Sequence, residues 1–197
     1  NHGFRNLRSG SGRIKQDMDV FQNPDFKRHD QIGWNYRLPE FNSAIALAQL
    51  ERLDELIEYR VKTAEIFLDV ISDCDYLVPQ ITPRGYTNSY WALGVKYTGE
   101  KIIGLNWQDF RKEYIKAGGD GFYGAWSVPY NEPVFKSGEF RNVNPHIYKK
   151  ISYQNGQCPI AEKIQKQLMV FKTNYRSIKY AEKKAKSLKA LIKKYKT

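Results

Sequence analysis

Gly33-Trp34-Asn35-Tyr36-Arg37-Leu38-Pro39-Glu40 leads directly into a segment of helical apolar periodicity that ends near Ile71. Leu47, Leu50, Leu53, Ile57, Val61, Ala64, Leu68 and Ile71 recur at intervals of three and four, the spacing of one helical face, so the segment reads as a rod with a single buried stripe. Pro39 suits the first helical position, where a missing N–H leaves nothing unsatisfied. Glu40 puts a carboxylate in the first turn, where the macrodipole favours it. Asn35 and Arg37 therefore precede a helix N-terminus, whose free N–H groups attract anions, and a guanidinium adds a planar fork that matches phosphate oxygens. From these residues alone two uses stay open: a phosphate clamp, or an ordinary helix start in which Asn35 turns the chain and Arg37 is solvated.

Outward from this stretch, the rod breaks near Asp73 and Tyr76-Leu77-Val78-Pro79 begins a small domain. Residues 90–97 are rich in aromatic and β-branched side chains and read as a strand, although their alternation is imperfect. Residues 107–117 read as a helix with Phe110, Tyr114 and Ala117 on one side and Gly118-Gly119 as its stop. Strand character returns in residues 122–128, residues 159–170 read as helical, and residues 176–196 close the chain as a helix. Upstream, Ser9-Gly10-Ser11-Gly12 reads as a loop and Asn23-Pro24 as a turn; residues 1–32 are expected to leave a larger domain and to pack on nothing else in this chain. The alternation of elements implies an α+β fold in which helices cover one face of a small, mainly antiparallel sheet.

Composition narrows the function classes. The 197 residues are 41% hydrophobic and 14% aromatic, ample for a core, and contain no apolar run long enough to span a membrane, so no membrane partner is expected. Cys74 and Cys158 are isolated, without a CxxC or partner histidines, which argues against a disulfide framework or a metal site and fits a reducing, cytoplasmic setting; both read as core or near-core thiols. The net charge of +11 is concentrated at one end: Arg176 to Thr197 hold nine Lys or Arg and one Glu, a local charge of +8. Tyr180, Ala181, Ala185, Leu188, Leu191, Ile192 and Tyr195 give that helix an apolar face, and lysines such as Lys183, Lys186, Lys189 and Lys193 fill the rest. Snorkelling lysines on a solvated face explain this pattern without nucleic acid, and no RNA- or DNA-binding motif accompanies it.

Gly121-Phe122-Tyr123-Gly124-Ala125-Trp126-Ser127-Val128-Pro129-Tyr130 combines glycines, which permit close backbone approach, with rings and hydroxyls able to stack on and bond a sugar nucleotide. Packing in a core is the other use of such rings. His146 has no carboxylate at an interpretable spacing and reads as a surface or interface histidine; His2 and His29 read the same way.

Gly33-Trp34-Asn35-Tyr36-Arg37-Leu38, followed by Ala44-Ile45-Ala46-Leu47-Ala48-Gln49-Leu50-Glu51-Arg52-Leu53-Asp54-Glu55, resembles the corresponding helix start of the DegT/DnrJ family of sugar aminotransferases, enzymes of the aspartate aminotransferase fold type that carry pyridoxal 5′-phosphate (PLP). Asn1-His2-Gly3, Asn88-Ser89-Tyr90-Trp91, Gly118-Gly119-Asp120-Gly121-Phe122-Tyr123 and Cys158-Pro159-Ile160-Ala161-Glu162 add to the resemblance in family order. The resemblance implies the C-terminal portion of a fold-type I PLP enzyme. Residues 1–38 would be the exit of the large cofactor domain, 39–73 a long connecting helix, and 74–197 the small α+β domain. It further implies a homodimer with shared active sites, a nucleotide-linked keto sugar as acceptor and an amino acid such as glutamate as donor. Asn35 and Arg37 would contact the cofactor phosphate, that of the partner subunit in the case of Asn35, and Tyr123, Trp126 and Tyr130 would face the substrate. The lysine that forms the Schiff base belongs upstream of the Asn-His-Gly turn, so no catalytic residue is assigned within this segment, which alone is expected to be inactive. Some family members carry histidine in place of that lysine and dehydrate the sugar instead. A non-catalytic basic binding module is the reading from a different class.

Overall fold

A computed structural model of the chain describes residues 25–196. In chain order its helices and strands are α1 (Glu40–Leu50), α2 (Leu53–Ile71), β1 (Leu77–Pro79), β2 (Ala92–Tyr97), α3 (Gly99–Ile102), α4 (Trp107–Lys116), β3 (Tyr123–Gly124), α5 (Pro133–Lys136), α6 (Pro145–Tyr148), α7 (Pro159–Gln165), β4 (Leu168–Lys172) and α8 (Ile178–Lys194). They fall into two compact units: one holds residues 25–39 with 124–166, the other 40–123 with 167–196. Asn1-His2-Gly3, the Ser9 to Gly12 loop and the Asn23-Pro24 turn lie outside the described residues.

The second unit is built on a sheet of order β1-β2-β4-β3. β2 pairs antiparallel with β1 and with β4, and the register sets Leu93 against Phe171 and Val95 against Met169. All four side chains are buried, so alternate residues of both strands point to the same side. The sequence reading made β4 the end of a helix over 159–170. Ile160, Ile164 and Leu168 continue the four-residue interval across the real helix end, and a short apolar run of strand length cannot be told from a buried helix by periodicity alone. The expected strand over 122–128 shrinks to the two residues of β3.

Helices α2, α4 and α8 supply the other half of the core. Thr63, Ala64, Phe67 and Ile71 of α2, and Ala181, Ala185, Leu188, Leu191 and Ile192 of α8, are buried where the two helices pack, and Ala64, Ala181 and Ala185 let their backbones approach closely. Tyr180, expected on the apolar face of α8, is instead exposed. Between helices and sheet lies an aromatic cluster centred on Phe122, whose ring is 5.0 Å from Trp107, 5.3 Å from Phe171 and 6.3 Å from Phe110 and Tyr114.

The single rod is in fact two helices, and its stripe is buried only in the second. The hydrogen-bond ladder tightens at Arg52, whose N–H reaches Gln49 O at 3.1 Å, and the Arg52 guanidinium grips Glu55 with two bonds of 3.0 and 3.1 Å. No residue of α1 is buried: Phe41, Ile45, Leu47 and Leu50 are exposed, as is Leu53. Residues 25–32, expected to pack on nothing, are anchored within the first unit through Arg28 and His29, as described below.

Two local devices fix α4. Asn106 accepts from Asp109 N at 2.8 Å as its N-cap. At the other end Gly118 takes the left-handed φ of +90° that a glycine tolerates, and the N–H groups of Gly118 and Gly119 close on Ile115 O and Tyr114 O, each at 2.9 Å. Gly119 also lies flat against the Tyr114 ring, where a Cβ would sit 2.2 Å from a ring carbon. Asp120, just beyond, bridges Lys172 of β4 at 3.0 Å and Lys184 of α8 at 2.9 Å. Burial pushes the Asp120 carboxyl up, but Lys184 and Lys172 outweigh it and hold the group below its ordinary value of 3.8. A depressed carboxylate stabilises the fold above its unfolded pKa and ceases to do so as pH falls through the folded value. Asp120→Asn should therefore lower stability at neutral pH by about 1 kcal/mol, discounted for partial exposure, or roughly 2–4 °C in Tm. The gap between variant and parent should close below about pH 4, as melting curves across a pH series would show.

Candidate functional site

The first unit encloses a pocket of about 620 Å³. Its walls come from a run of short helical turns. Pro129, Pro133 and Pro145 each start one, at the position where proline costs no hydrogen bond, and the Asn144 side chain accepts from Ile147 N. These turns bring Phe135, Phe140, Tyr148 and Tyr153 together with ring centroids 5.0 to 5.8 Å apart. Val134, Ile32 and Gly33 add to the lining, and Gln31, Ser127, His29 and Glu132 bring polar groups to it.

Glu132 organises the polar side. Its buried carboxylate accepts through Oε2 from the backbone N–H of Arg28 at 2.7 Å and of His29 at 2.9 Å, while Oε1 lies 3.6 Å from His29 Nδ1. Val134 N returns a bond to His29 O at 3.1 Å. Arg28 is 1% exposed; its guanidinium donates to Phe26 O at 2.8 Å and lies 5.3 Å from the Phe26 ring and 5.2 Å from the Trp126 ring. Burial pushes this guanidinium down from its ordinary value, and the nearby Glu132 charge opposes the shift.

The residues singled out from the sequence are distributed unevenly about this pocket. Trp126 lines it; the ring is held beside Arg28 and 6.2 Å from the His29 ring, its carbonyl accepts from Gln165 Nε2 at 2.8 Å, and yet it is 57% exposed. Tyr130 is turned away into a separate knot. Its hydroxyl donates to Glu162 and accepts from Cys158 N at 3.3 Å, and Glu162 Oε1 also accepts from Gly156 N at 2.6 Å. Burial and then the bond to Glu162 push the Tyr130 phenol up; Tyr130 and Gly156 hold the Glu162 carboxyl low. Tyr123 lies in β3. Asn35 is half-buried with φ +47°, a left-handed conformation that asparagine tolerates better than most residues, and Arg37 is exposed. Neither lines the pocket, whereas Gly33 of the same motif does.

His146 is exposed, as expected, but His29 is paired with Glu132 across 103 residues of chain. No local spacing could have announced Arg28, His29 and Glu132 as one cluster. Cys74 is buried, with its thiol pushed up by burial, while Cys158 is exposed rather than near-core. Among the described residues no group of His, Cys, Asp and Glu is placed to hold a metal, and no helix is long and apolar enough to cross a membrane.

Residues 7–175 match the DegT/DnrJ/EryC1/StrS aminotransferase family. The chain belongs to that family. Its cofactor is pyridoxal 5′-phosphate. The GDP-perosamine synthase of Vibrio cholerae is 33% identical over 67 residues, which are 34% of this chain and 18% of that enzyme. Among solved structures, the aminotransferase from Psychrobacter cryohalolentis superposes with a TM-score of 0.58 at 13% identity, over 98% of this chain and 47% of its own. The E. coli GDP-4-keto-6-deoxy-D-mannose-3-dehydratase with bound hydrated PLP gives 0.53 at 23% identity, over 97% and 44%. Helicobacter pylori PseC, an aminotransferase of pseudoaminic acid biosynthesis, gives 0.52 at 18%, over 96% and 45%. The chain thus spans less than half the length of these DegT/DnrJ/EryC1/StrS relatives, and the likeness establishes a shared fold of helices on a small antiparallel sheet.

Proposed function

We propose that this chain is the C-terminal part of a PLP-dependent aminotransferase that moves an amino group from an amino-acid donor, such as glutamate, to a keto group of a nucleotide-linked sugar in the cytoplasm. The observation that carries this reading is the family match over residues 7–175, with a GDP-sugar enzyme among the relatives. When bound, the cofactor supplies the electron sink for the amino-group exchange. The donor set of Asn35 and Arg37, an amide and a fully charged fork two residues apart on exposed or half-exposed backbone, fits a phosphate dianion, and these two residues hold that end of the cofactor. Asn35 serves the site of a partner subunit in a homodimer. On the substrate side, Trp126 offers an exposed ring face, Tyr123 flanks it in sequence, and Tyr130, its hydroxyl committed to Glu162, acts through its ring and by fixing the loop. The cofactor lysine lies in the preceding half of the polypeptide, so the segment alone is inactive. A dehydratase of the same family is the second reading, favoured by the E. coli relative, and the residue at the lysine position decides between the two.

In the protein joined to that preceding half, Asn35→Ala should weaken cofactor retention about ten- to a hundredfold, the loss of one charge-assisted hydrogen bond, and leave the fold intact. PLP dissociation and apo-protein melting, measured together, check this. Lost thermal stability with unchanged PLP affinity would reduce Asn35 to a residue that turns the chain. Mixing Asn35→Ala subunits with subunits lacking the cofactor lysine tests the sharing: one of the two sites in each mixed dimer should regain both groups and activity.

A further inference from the structure

We propose that the pocket beneath Trp126 binds the guanine end of a GDP-linked sugar; the inference rests on the nucleotide-sugar reading above and specifies its base. Trp126 is built as a stacking platform. Its ring lies against the buried Arg28 guanidinium on the inside, and its carbonyl is pinned by Gln165, while more than half of its surface stays open. An ordered aromatic face left exposed at a pocket rim gains stacking energy without first losing side-chain freedom, and such stacking accepts any base.

Selection among bases comes from Glu132. Its Oε2 is already filled by two backbone N–H groups, whereas Oε1, the oxygen nearer His29, has no hydrogen bond shorter than 3.5 Å from that ring and belongs to the pocket lining. A buried carboxylate oxygen lacking a strong donor is a site for N–H groups. Guanine presents two adjacent donors, N1–H and the N2 amino group; hypoxanthine and uracil each present one N–H along that edge, and adenine has a ring acceptor at N1. The aromatic walls of Phe135 and Phe140 and the volume of about 620 Å³ accommodate a purine nucleoside with space for its ribose to leave toward the rim.

Calorimetric titration of the 197-residue chain with GDP, IDP, ADP, UDP and inorganic pyrophosphate tests this directly. GDP should bind, IDP about tenfold more weakly, and ADP, UDP and pyrophosphate more weakly still. Trp126→Ala should cost GDP at least about tenfold in affinity, the loss of one stacked base, without moving the melting temperature. Equal binding of all five compounds would show that phosphate alone is read, and unchanged GDP affinity in Trp126→Ala would place the nucleotide elsewhere; either result overturns the proposal, as does the absence of GDP binding. None of these outcomes touches the aminotransferase reading, which stands or falls on cofactor retention and subunit mixing.

Discussion

Phe122→Ala is expected to lower the unfolding free energy by about 3–5 kcal/mol and Tm by on the order of 10 °C, the largest effect of any single truncation in the sheet unit. The ring is 1% exposed and stands at the meeting point of α4, β4 and the chain leading into β3, with Trp107, Phe110, Tyr114 and Phe171 all within 6.3 Å centroid to centroid. Its partners belong to elements far apart in sequence, so no one of them can collapse into the void without disturbing another, and close packing makes that void costly. The Phe122 carbonyl adds to the loss if the backbone shifts, because it accepts from Arg111 Nε at 3.2 Å. Tyr180→Ala on the exposed side of α8 is the matched control and should stay within about 0.5 kcal/mol. Thermal melts followed by near-ultraviolet circular dichroism read both.

Glu132→Ala is the second large effect, confined to the other unit. Removing the carboxylate leaves the N–H groups of Arg28 and His29 without their acceptor inside a dry site, and strips the buried Arg28 of the nearby negative charge. Losses of this kind run to about 3–5 kcal/mol. Glu132→Gln keeps one acceptor oxygen of the same shape and should recover part of that, roughly half. Hydrogen exchange at the Arg28 and His29 amides gives the sharpest measurement: protection should fall by about a hundredfold or more in the alanine variant and less in the glutamine variant. Protection unchanged in both would mean that Glu132 holds nothing in place.

The sequence showed the parts of this fold whose signals are local and concealed the parts that depend on distant partners. α4 was legible because its stop is written in two adjacent glycines, and α8 because its alanines and leucines keep helical spacing over seventeen residues. β4 was hidden because its five residues carry no period of their own and are fixed as a strand by pairing with β2, some seventy-five residues upstream. The same asymmetry governs the candidate site. Trp126 could be singled out as a ring beside glycines, but the pocket behind it is assembled by Glu132 reaching Arg28 and His29 across 104 and 103 residues. The exposure of α1 was equally invisible: periodicity reports that an apolar face exists, not that anything in the chain covers it.

Strands β3 and β4 are neighbours in the sheet, yet residues 124–166 run between them. A segment whose two ends are clasped side by side behaves like a cartridge: its length and lining can change over generations while Leu93 keeps its register against Phe171 and the core around Phe122 is left alone. In such a layout the residues that choose a ligand and the residues that keep the protein folded drift on separate clocks. Relatives could thus exchange one sugar nucleotide for another without having to rebuild the sheet that holds them together.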